Sequence, residues 1–490
     1  MKRFFTLVLA TLMGLHMMAK VDRPKLVVGL MVDQMRWDYL YYYYDKFGEG
    51  GLRRLVDEGH SFENTMINYV PTVTAIGHSS VYTGSVPAFT GIAGNNFYLN
   101  GTKVTSVTDP SVQTVGSKSK EGQTSPRNLL TTTIGDMLKT ATDYKAKVIG
   151  IALKDRASIL PAGHAADAAY WWDTSAGHFI TSTYYMTELP DWVKKTNKLV
   201  AVKPGTDVKT SVEGVTKTFQ MAEAALQNEQ MGKDDITDLL AVSVSSTDAI
   251  GHEYGTRGDE NYAVYMELDR QLAKFFSILD SEVGKGNYLL FFTADHGAAH
   301  NPNVLKRNKI RAGGLELWEK LPKIEQQLQS EFGIGEKLIL DEDANRIYLN
   351  HEAIAKSGKS LDDVKKALIE KLQKIDHVLY AIDYDKVLTT SVPQPLRERI
   401  VNGYNINRSG DIFVVAEANW ENVSNGADYR GTTHGMWNPY DSHIPFVLMG
   451  WNVTPGQSHE QAHIVDIAPT ICALLHIQMP DACVGHALLP

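Results

Sequence analysis

Residues 289–297 read LLFFTADHG, an apolar run that leads directly into Asp295 and His296. An apolar run of this length without polar alternation is typical of a β-strand that is covered on both faces. Similar short runs alternate along the chain with stretches of helical periodicity, and this alternation predicts an α/β fold with a mostly parallel sheet between helices. The predicted buried strands are residues 25–32, 147–153, 238–244, 288–293 and 444–449.

Helices are predicted where apolar residues recur at spacings of three and four. The pair Ser125-Pro126 is typical of a helix start, and apolar residues follow it at 129–138. A long packing helix is predicted from Tyr265 to Leu279. Ser360 is placed to cap another helix, whose buried stripe is predicted to be Val364, Leu368, Leu372 and Ile375.

Three segments do not follow this alternation. Residues 157–209 are rich in Tyr, Trp, Gly and Thr, and residues 301–419 contain the helix capped by Ser360. We predict that both are insertions and form a cap over a single domain at residues 20–490. The polar segment 101–124 is predicted to be a mobile surface loop.

Composition limits the classes of protein that need to be considered. The 490 residues are 43% hydrophobic and 21% charged, which is ordinary for a globular protein. The formal net charge is -9 and becomes -11 if residues 1–19 are removed. This acidic balance argues against a nucleic-acid-binding surface. An anionic substrate must therefore be attracted by a local cluster of basic groups.

The amino terminus is typical of a signal peptide. Lys2 and Arg3 precede an apolar stretch at residues 4–18, and Ala19 is a plausible cleavage residue. We therefore predict a periplasmic or secreted protein with no membrane span after cleavage; an uncleaved anchor is the alternative. Only two cysteines are present, Cys472 and Cys483. In an exported protein they form either a local disulfide or two free thiols.

Charged side chains follow the predicted strands at the point where each strand ends. Asp33 closes the first run in GLMVDQM, and Asp248 follows the third run in VSVSSTDAIGH. Lys154 and Arg156 follow the second run in IALKDRA. A single Asp after a strand is usually a turn or cap residue. Because ligands of open α/β sheets bind outside the carboxyl ends of the strands, we expect these groups to meet Asp295 at one edge.

Histidines accompany the aspartates. His252 comes four residues after Asp248, His296 follows Asp295, and His434 in RGTTHGMWNPYDSHIP lies before the last predicted strand. Carboxylates and neutral imidazoles form a ligand set that suits Zn²⁺. Three Asp and three His are enough for two zinc ions, and metal pairs about 4 Å apart hold the attacking and leaving oxygens of an in-line displacement.

The balance of charge favours a phosphate ligand. Two Zn²⁺ and the three Asp carboxylates leave a net charge of +1, which does not neutralise a phosphate dianion. Lys154 and Arg156 supply the missing positive charge, and a guanidinium binds phosphate with two hydrogen bonds.

A nucleophile is expected in the segment that follows the first strand and helix. A hydroxyl attacks well only if a base or a metal lowers its pKa. Composition does not choose among the hydroxyls of this segment, and a plain Ser/Thr-rich turn is the alternative. The candidates are Thr72, Thr74, Ser79, Ser80 and Thr83.

Together these motifs resemble the alkaline phosphatase superfamily, on the branch of the nucleotide pyrophosphatases/phosphodiesterases. The chain looks most like the bacterial phosphate-irrepressible alkaline phosphatases over about residues 25–485. The resemblance implies an alkaline-phosphatase-like fold and two Zn²⁺. It implies that Asp248, His252 and His434 bind the first zinc, and that Asp33, Asp295 and His296 bind the second.

The resemblance also assigns the substrate-handling groups. PTVTAIGH matches the family's nucleophile segment, which implies that Thr74 attacks phosphorus, is bound to the second zinc and forms a phospho-threonine. Asn95 in GIAGNN matches a phosphate-contacting Asn, and Lys154 and Arg156 match the Lys-x-Arg pair of the phosphatases. Because the diesterases of this branch lack that pair, small phosphate monoesters are the expected substrates.

Two rival functions stay open at this point. One is a phosphodiesterase or nucleotide pyrophosphatase with the same metal site, and the other is a metal-dependent binding protein without activity. Several further aromatic residues are expected to have packing or supporting roles. They are His78, His164, His300 and His443, whereas Trp171 and Trp172 either line a substrate pocket or pack within the cap.

Overall fold

The computed structural model describes residues 21–488, so the predicted signal peptide at residues 1–19 lies outside the described part. The strands are β1 Leu26–Val32, β2 His60–Met66, β3 Asn96–Leu99, β4 Thr102–Thr105, β5 Thr114–Val115, β6 Val148–Ala152, β7 Ala168–Asp173, β8 His178–Ser182, β9 Asp238–Val244, β10 Tyr288–Thr293, β11 Gly313–Gly314, β12 Ile339–Asp343, β13 Arg346–Leu349, β14 Val378–Asp383, β15 Ile412–Ala416, β16 Trp420–Glu421, β17 Phe446–Gly450 and β18 Gly456–His463.

The helices alternate with these strands along the chain. They are α1 Tyr39–Tyr42, α2 Leu52–Glu58, α3 Thr74–Thr83, α4 Pro87–Thr90, α5 Ile134–Ala141, α6 Asp155–Ala162, α7 Asp191–Val200, α8 Val212–Asn228, α9 Ser246–Tyr254, α10 Asp259–Leu279, α11 Pro302–Arg307, α12 Leu317–Phe332, α13 His351–Lys356, α14 Leu361–Leu372, α15 Gln394–Gly403, α16 Pro439–Ser442 and α17 Ile467–Leu474. None of the helices within residues 21–488 is both long and apolar enough to cross a membrane.

A ten-stranded sheet in the order β18-β2-β17-β10-β1-β9-β6-β7-β8-β5 forms the centre of the fold. Strands β10, β1, β9, β6 and β7 are parallel neighbours, which confirms the predicted mostly parallel sheet. All five predicted strands are present, and their residues are buried except Gly450 at the end of β17. Strand β17 runs antiparallel to β10. Its orientation brings the chain before it, which contains His434, to the carboxyl edge of the parallel strands.

Segment 301–419 builds a second sheet in the order β12-β13-β15-β14, covered by helices of the same segment. Its apolar core is separate from that of the main sheet. The hydroxyl of Ser360 accepts a hydrogen bond from the Asp363 amide and caps α14 as predicted. Val364, Leu368 and Leu372 form the buried stripe of this helix. Its role as a cap over the site stays a prediction.

Segment 157–209 was predicted to belong to the cap, and for its two strands this is wrong. Strand β7 pairs parallel with β6 and β8 pairs antiparallel with β7, so both extend the main sheet. The aromatic run Trp171-Trp172 is buried within β7 and packs in the core. The two adjacent Trp side chains point to opposite faces of β7. The strand was not predicted because Trp and Tyr carry polar atoms and because the segment is rich in Gly and Thr, so the sequence lacks a plain apolar run.

Two local predictions are also corrected. The helix predicted at Ser125 begins instead at Ile134, where Thr133 and Asp136 form a reciprocal capping box. Ser125 caps only a short turn. Segment 101–124 contains β4 and β5 and is therefore not simply a loop. Cys472 and Cys483 are free thiols, which is the second of the two alternatives.

Candidate metal centre

The charged residues predicted at the strand ends do meet at the carboxyl edge of the main sheet. Lys154, just after β6, places its Nζ 2.6 Å from Oδ2 of Asp33, which follows β1. The same Nζ lies 2.5 Å from Oδ2 of Asp248, which is on α9 after β9. His434 arrives from the loop before β17, and its Nε2 lies 3.6 Å from Oδ1 of Asp248. The sheet topology thus collects residues that are far apart in the chain.

Asp33, Asp295 and His296 form what we call the inner cluster, and all three residues are 0% exposed. Nε2 of His296 lies 3.6 Å from Oδ1 of Asp33 and 3.4 Å from Oδ2 of Asp295. These three atoms are buried and have no hydrogen-bond partner. Because unpaired buried polar atoms are costly, three of them facing one another indicate a site built for a cation.

Asp248, His252 and His434 form the outer cluster. Nε2 of His252 lies 3.1 Å from Oδ1 of Asp248 and 3.3 Å from Nε2 of His434. Asp248 and His252 share a face of α9 because they are four residues apart. Each histidine has its Nδ1 at a backbone carbonyl, Thr432 O at 2.9 Å and Thr72 O at 2.7 Å. Such contacts orient metal-binding histidines and leave Nε2 to face the ion.

The two clusters adjoin. The rings of His296 and His434 stack with centroids 3.6 Å apart. His296 can belong to a ligand group with Asp33 and Asp295, or to one with Asp248 and His434, with all ligand atoms of each group within 4.8 Å of one another. Aspartate and histidine in two adjoining groups are a donor set that fits two Zn²⁺.

Electrostatics within the clusters favours a neutral His296 and an ionised Asp248. Burial, and then the charge of His434, lowers the pKa of His296 well below its usual value. Burial raises the pKa of Asp33 to about 6, and the nearby Asp248 and Asp295 act in the same direction. Burial opposes ionisation of Asp248 too, but His252 and Lys154 outweigh it and hold the pKa of Asp248 well below its usual value.

Thr74 is the first residue of α3 and is 1% exposed. Its neighbours in sequence touch the site on three sides. The carbonyl of Thr72 contacts His434, and the amide of Ala75 donates to Oδ1 of Asn95 at 2.9 Å. A side chain at Gly77 would lie 2.3 Å from the carbonyl oxygen of Asp295, so this glycine allows α3 to pack against the inner cluster. Thr74 therefore lies where both clusters and Asn95 meet.

The other hydroxyls of this segment have different surroundings. Thr72 donates to Met436 O, Ser79 to Ile76 O and Thr83 to Ser79 O. The hydroxyl of Ser80 is buried without a partner. Three of the five candidate nucleophiles are thus bound to backbone carbonyls, while Thr74 has no such bond within residues 21–488.

Asn95 and Arg156 retain unused donors. The side-chain oxygen of Asn95 is held by Ala75, which fixes the amide plane, while its Nδ2 makes no hydrogen bond to a described residue. Nε of Arg156 is buried without a partner, and its NH1 is 3.8 Å from Asp155. Both groups therefore keep a donor with which an anion can be bound.

His78 lies beside the inner cluster, and its supporting role stays a prediction. Its Nδ1 lies 2.9 Å from the carbonyl of Thr74 and 3.3 Å from Oδ2 of Asp295, and its Nε2 lies 2.7 Å from the hydroxyl of Ser243. His164 and His300 bond to Asp136 and Thr256, and His443 stacks on Trp37. These contacts are with residues outside both clusters.

Two functional candidates escaped the sequence analysis. Gln34 follows Asp33 and has a φ of 65°. Its side-chain Nε2 donates to Oδ1 of Asp248 at 2.7 Å, and its backbone N–H donates to Oδ1 of Asp295. It therefore touches both clusters. Arg346 lies in segment 301–419 and binds the loop of Asn95. The position of Gln34 beside Asp33 was a weak signal, and for Arg346 the sequence offered none.

Comparisons with known proteins agree with this geometry. Residues 27–437 match the family model described as type I phosphodiesterase / nucleotide pyrophosphatase. The chain is 43% identical to alkaline phosphatase PafA of Elizabethkingia meningoseptica over 98% of this chain and 97% of that protein. It is 45% identical to a Myroides odoratus protein named calcium-transporting ATPase, over 95% and 94% of the two chains.

A crystal structure of wild-type alkaline phosphatase PafA superposes with a TM-score of 0.91 and 42% identity, covering 96% of this chain and 99% of the other. The match extends over the main sheet, the site and the inserted segment, so it bears on the whole described molecule. The chain belongs to the type I phosphodiesterase / nucleotide pyrophosphatase family of the alkaline phosphatase superfamily, and it is a phosphate monoester hydrolase of the alkaline phosphatase type.

Proposed function

We propose that this hydrolase is an exported two-zinc enzyme that transfers the phosphoryl group of a small monoester to Thr74 and then to water. The observation that carries the proposal is the inner cluster. Three buried ligand atoms face one another without partners, and the first turn of α3, with Thr74, packs against them.

The ligand sets follow from the two clusters. Asp33, Asp295 and His296, together with Thr74, would hold one zinc ion. The outer cluster of Asp248, His252 and His434 would hold the other. When bound, zinc lowers the pKa of a coordinated oxygen and withdraws charge from phosphate oxygens.

The residues of the chain account for both steps. In the first, Oγ1 of Thr74 gives up its proton and bonds to phosphorus, while the bond from phosphorus to the ester oxygen breaks and the alcohol leaves with a proton. In the second, a water oxygen bonds to phosphorus, the bond to Oγ1 breaks and the threonine regains a proton. Thr74 is the first residue of α3, so the positive end of the helix dipole would favour the negative charge of the phosphoryl group.

Charge is the basis of the proposed preference for monoesters. A monoester dianion carries one more negative charge than a diester and has three unsubstituted oxygens. Lys154, Arg156 and the amide of Asn95 supply two cations and a neutral donor for these oxygens. Lys154 keeps its ammonium form, because although burial acts to lower its pKa, Asp248 and Asp33 outweigh burial and raise it.

Hydrolysis of phosphodiesters or nucleotide anhydrides is the second candidate. It is supported by the description of the matching family model and by the name of the Myroides odoratus relative. The same metal sites and Thr74 would serve it, so the difference lies in how the remaining phosphate substituent is accommodated.

Export is proposed from the first nineteen residues, whose basic start, apolar stretch and Ala19 are typical of a signal peptide. The test is to express the full chain with its start intact and determine the amino-terminal residue of the mature protein. A mature protein that begins at Lys20 outside the cytoplasm supports export. A protein that keeps Met1 in the cytoplasm contradicts it.

The test of activity compares initial rates of zinc-loaded protein on p-nitrophenyl phosphate, bis-p-nitrophenyl phosphate and ATP. We expect a strong preference for the monoester over the diester. The double variant Lys154→Ala and Arg156→Ala tests the basic pair. It should lose most of its monoester rate and keep most of its diester rate. A parent enzyme that prefers the diester would leave the metal sites in place but contradict the assignment of the basic pair.

A further inference from the structure

Arg346 is part of the inserted segment 301–419, but its side chain lies against the loop that carries Asn95. The residue is 0% exposed. Its NH1 donates to the carbonyl of Ala93, and its NH2 donates to the carbonyl of Asn96 at 3.1 Å. One guanidinium thus holds the backbone on both sides of Asn95, across 250 residues of sequence.

The buried charge of Arg346 is paired within its own segment. NH2 lies 2.5 Å from Oδ2 of Asp343, and Nε donates to the carbonyl of the same residue at 3.1 Å. A buried cation is tolerated only when its donors are satisfied, and the rigid fork of a guanidinium fixes their directions. These bonds leave the Asn95 loop little freedom to move relative to Arg346.

Close packing at Gly94 also restricts movement of the Asn95 loop relative to Arg346. A Cβ on Gly94 would lie 2.2 Å from NH2 of Arg346, so the loop and the guanidinium meet with no side chain between them. Asn95 is also held by its carbonyl, which accepts from the amide of Ser106 at 2.9 Å, and by its side-chain oxygen, which accepts from Ala75. What remains for a ligand is Nδ2, in a fixed direction.

The turn that presents Arg346 is itself unusual. Ala344 and Asn345, between β12 and β13, have φ of 51° and 64°, as the central residues of a tight hairpin turn do. A left-handed alanine is unfavourable, and such a conformation persists only when its surroundings impose it. Nδ2 of Asn345 also lies 3.6 Å from where a Cβ on Gly435, the neighbour of His434, would be. The hairpin tip therefore reaches the site at two points.

We propose that Arg346 is a positioning residue that acts through Asn95, and that the inserted segment uses it to set how tightly the phosphoryl group is held. This inference rests on the proposed function, because it assumes that Asn95 contacts phosphate. Arg346 itself touches neither substrate nor metal ligands, so its effect should pass entirely through the orientation of one amide.

The experiment is a double-mutant cycle on the zinc-loaded full chain. Arg346→Met and Asn95→Ala are made singly and together, and kcat/KM on p-nitrophenyl phosphate and inhibition by inorganic phosphate are measured. We expect Arg346→Met to lower kcat/KM about tenfold and to weaken phosphate inhibition by a similar factor. In the Asn95→Ala background the same change should have less than about a twofold effect. A tenfold loss in both backgrounds would overturn the proposal.

A second variant protects the test against misfolding. Gly94→Ala retains both Arg346 and Asp343, but its Cβ forces the loop and the guanidinium apart, and it should show the same dependence on Asn95. Lys365→Met is the matched control. Lys365 is a buried cation of the same segment, and it bonds to Asp383 and not to the Asn95 loop. It should lower the melting temperature without changing phosphate inhibition.

The cycle also separates this inference from the proposed function. If Asn95→Ala alone leaves kcat/KM unchanged, the phosphate-binding role of Asn95 is wrong. If Asn95→Ala lowers it while Arg346→Met and Gly94→Ala do not, Asn95 keeps its role and only the positioning role of Arg346 is lost.

Discussion

The inner and outer clusters use the same two residue types but solve different physical problems. In the inner cluster all three residues are 0% exposed, and three ligand atoms have no hydrogen-bond partner. In the outer cluster the His252 side chain is 41% exposed, and Asp248 accepts hydrogen bonds from Gln34 and Lys154. The ligand atoms of Asp248 thus have hydrogen-bond donors from the protein, whereas the inner cluster keeps three buried ligand atoms without a hydrogen-bond partner.

The difference in exposure predicts different roles for the inner and the outer cluster. A closed site can hold an ion permanently and fix a nucleophile beside it, since water does not compete for its ligands. An open site can release an alcohol and admit water. On this basis the inner cluster is expected to serve Thr74, and the outer cluster to serve the leaving group and the incoming water.

The largest expected effect is that of Thr74→Ala. Loss of the nucleophile should reduce turnover by at least about 10⁴-fold, because the metals alone cannot replace the covalent step. The zinc content, measured by elemental analysis, should stay near two ions per chain, since six ligands remain. Thr83→Ala, at the other end of α3, is the control and should keep full activity. A Thr74→Ala enzyme with appreciable turnover would mean that another hydroxyl attacks.

Removal of one histidine from each cluster tests the comparison directly. His296→Ala should lower the rate by about 10³-fold and lose a zinc ion, because no solvent can complete a closed site. His252→Ala should cost less, about 10²-fold, because water can take the vacant position at an open site. Zinc content and initial rates at several zinc concentrations measure both effects, with His60→Ala as the control. Added zinc should rescue His252→Ala only, and equal rescue of both variants would contradict the distinction.

Chelation should also distinguish the clusters, with a smaller effect. On dilution into a chelator, the zinc of the outer cluster should leave about tenfold faster than that of the inner cluster, because one of its ligands, His252, is reachable by solvent. The loss is followed with a colorimetric zinc indicator, and activity is measured in parallel. Activity should fall with the first ion. Release of both ions in one phase would mean that the exposure of His252 does not control metal exchange.

The sequence predicted the inner cluster better than its surroundings. Apolar runs that end in Asp33 and Asp295 are local patterns, and the rule that ligands bind at the carboxyl ends of strands converts them into a site. Lys154 and Asp248 were found in the same way. The strand β7 was missed because aromatic residues with polar atoms do not form a plain apolar run.

Side-chain contacts between residues far apart in the chain could not be predicted from the sequence. The hydroxyls of the Thr74 segment looked equivalent until their hydrogen-bond partners were known. Gln34 contacts both clusters because its backbone is left-handed, and a glutamine in the sequence does not predict that conformation. Arg346 reaches Asn95 across a hairpin of another sheet, and the sequence shows only an arginine in a polar turn. Periodicity reports which face is buried, but it does not say which distant polar group will be the partner.

The smallest predicted effect concerns the link between the two clusters. His300 follows the inner-cluster loop and lies 2.6 Å from the hydroxyl of Thr256, which follows the helix of the outer cluster. Burial, and then the charges of Arg36 and Arg257, lower the pKa of His300 to about 4, against a weaker opposing effect of Asp38. Between pH 6.5 and 4 the unfolded chain therefore binds a proton that the folded protein refuses.

Stability should consequently fall as pH drops through this window, by about 1 kcal/mol at pH 5 from this group alone after allowance for its partial exposure. His300→Gln removes the titration, so its free energy of unfolding relative to the parent should improve between pH 6.5 and 5. His164→Gln is the control with the opposite sign, because the hydrogen bond to Asp136 raises the pKa of His164. Protonation of His164 contributes stability to the parent as pH falls, so His164→Gln should lose stability relative to the parent in the same window. Because all three proteins share the same metal ligands, the pH dependence of zinc binding cancels in the differences. Parallel curves for the parent and His300→Gln, measured by urea unfolding, would mean that protonation of His300 does not strain the link between the clusters.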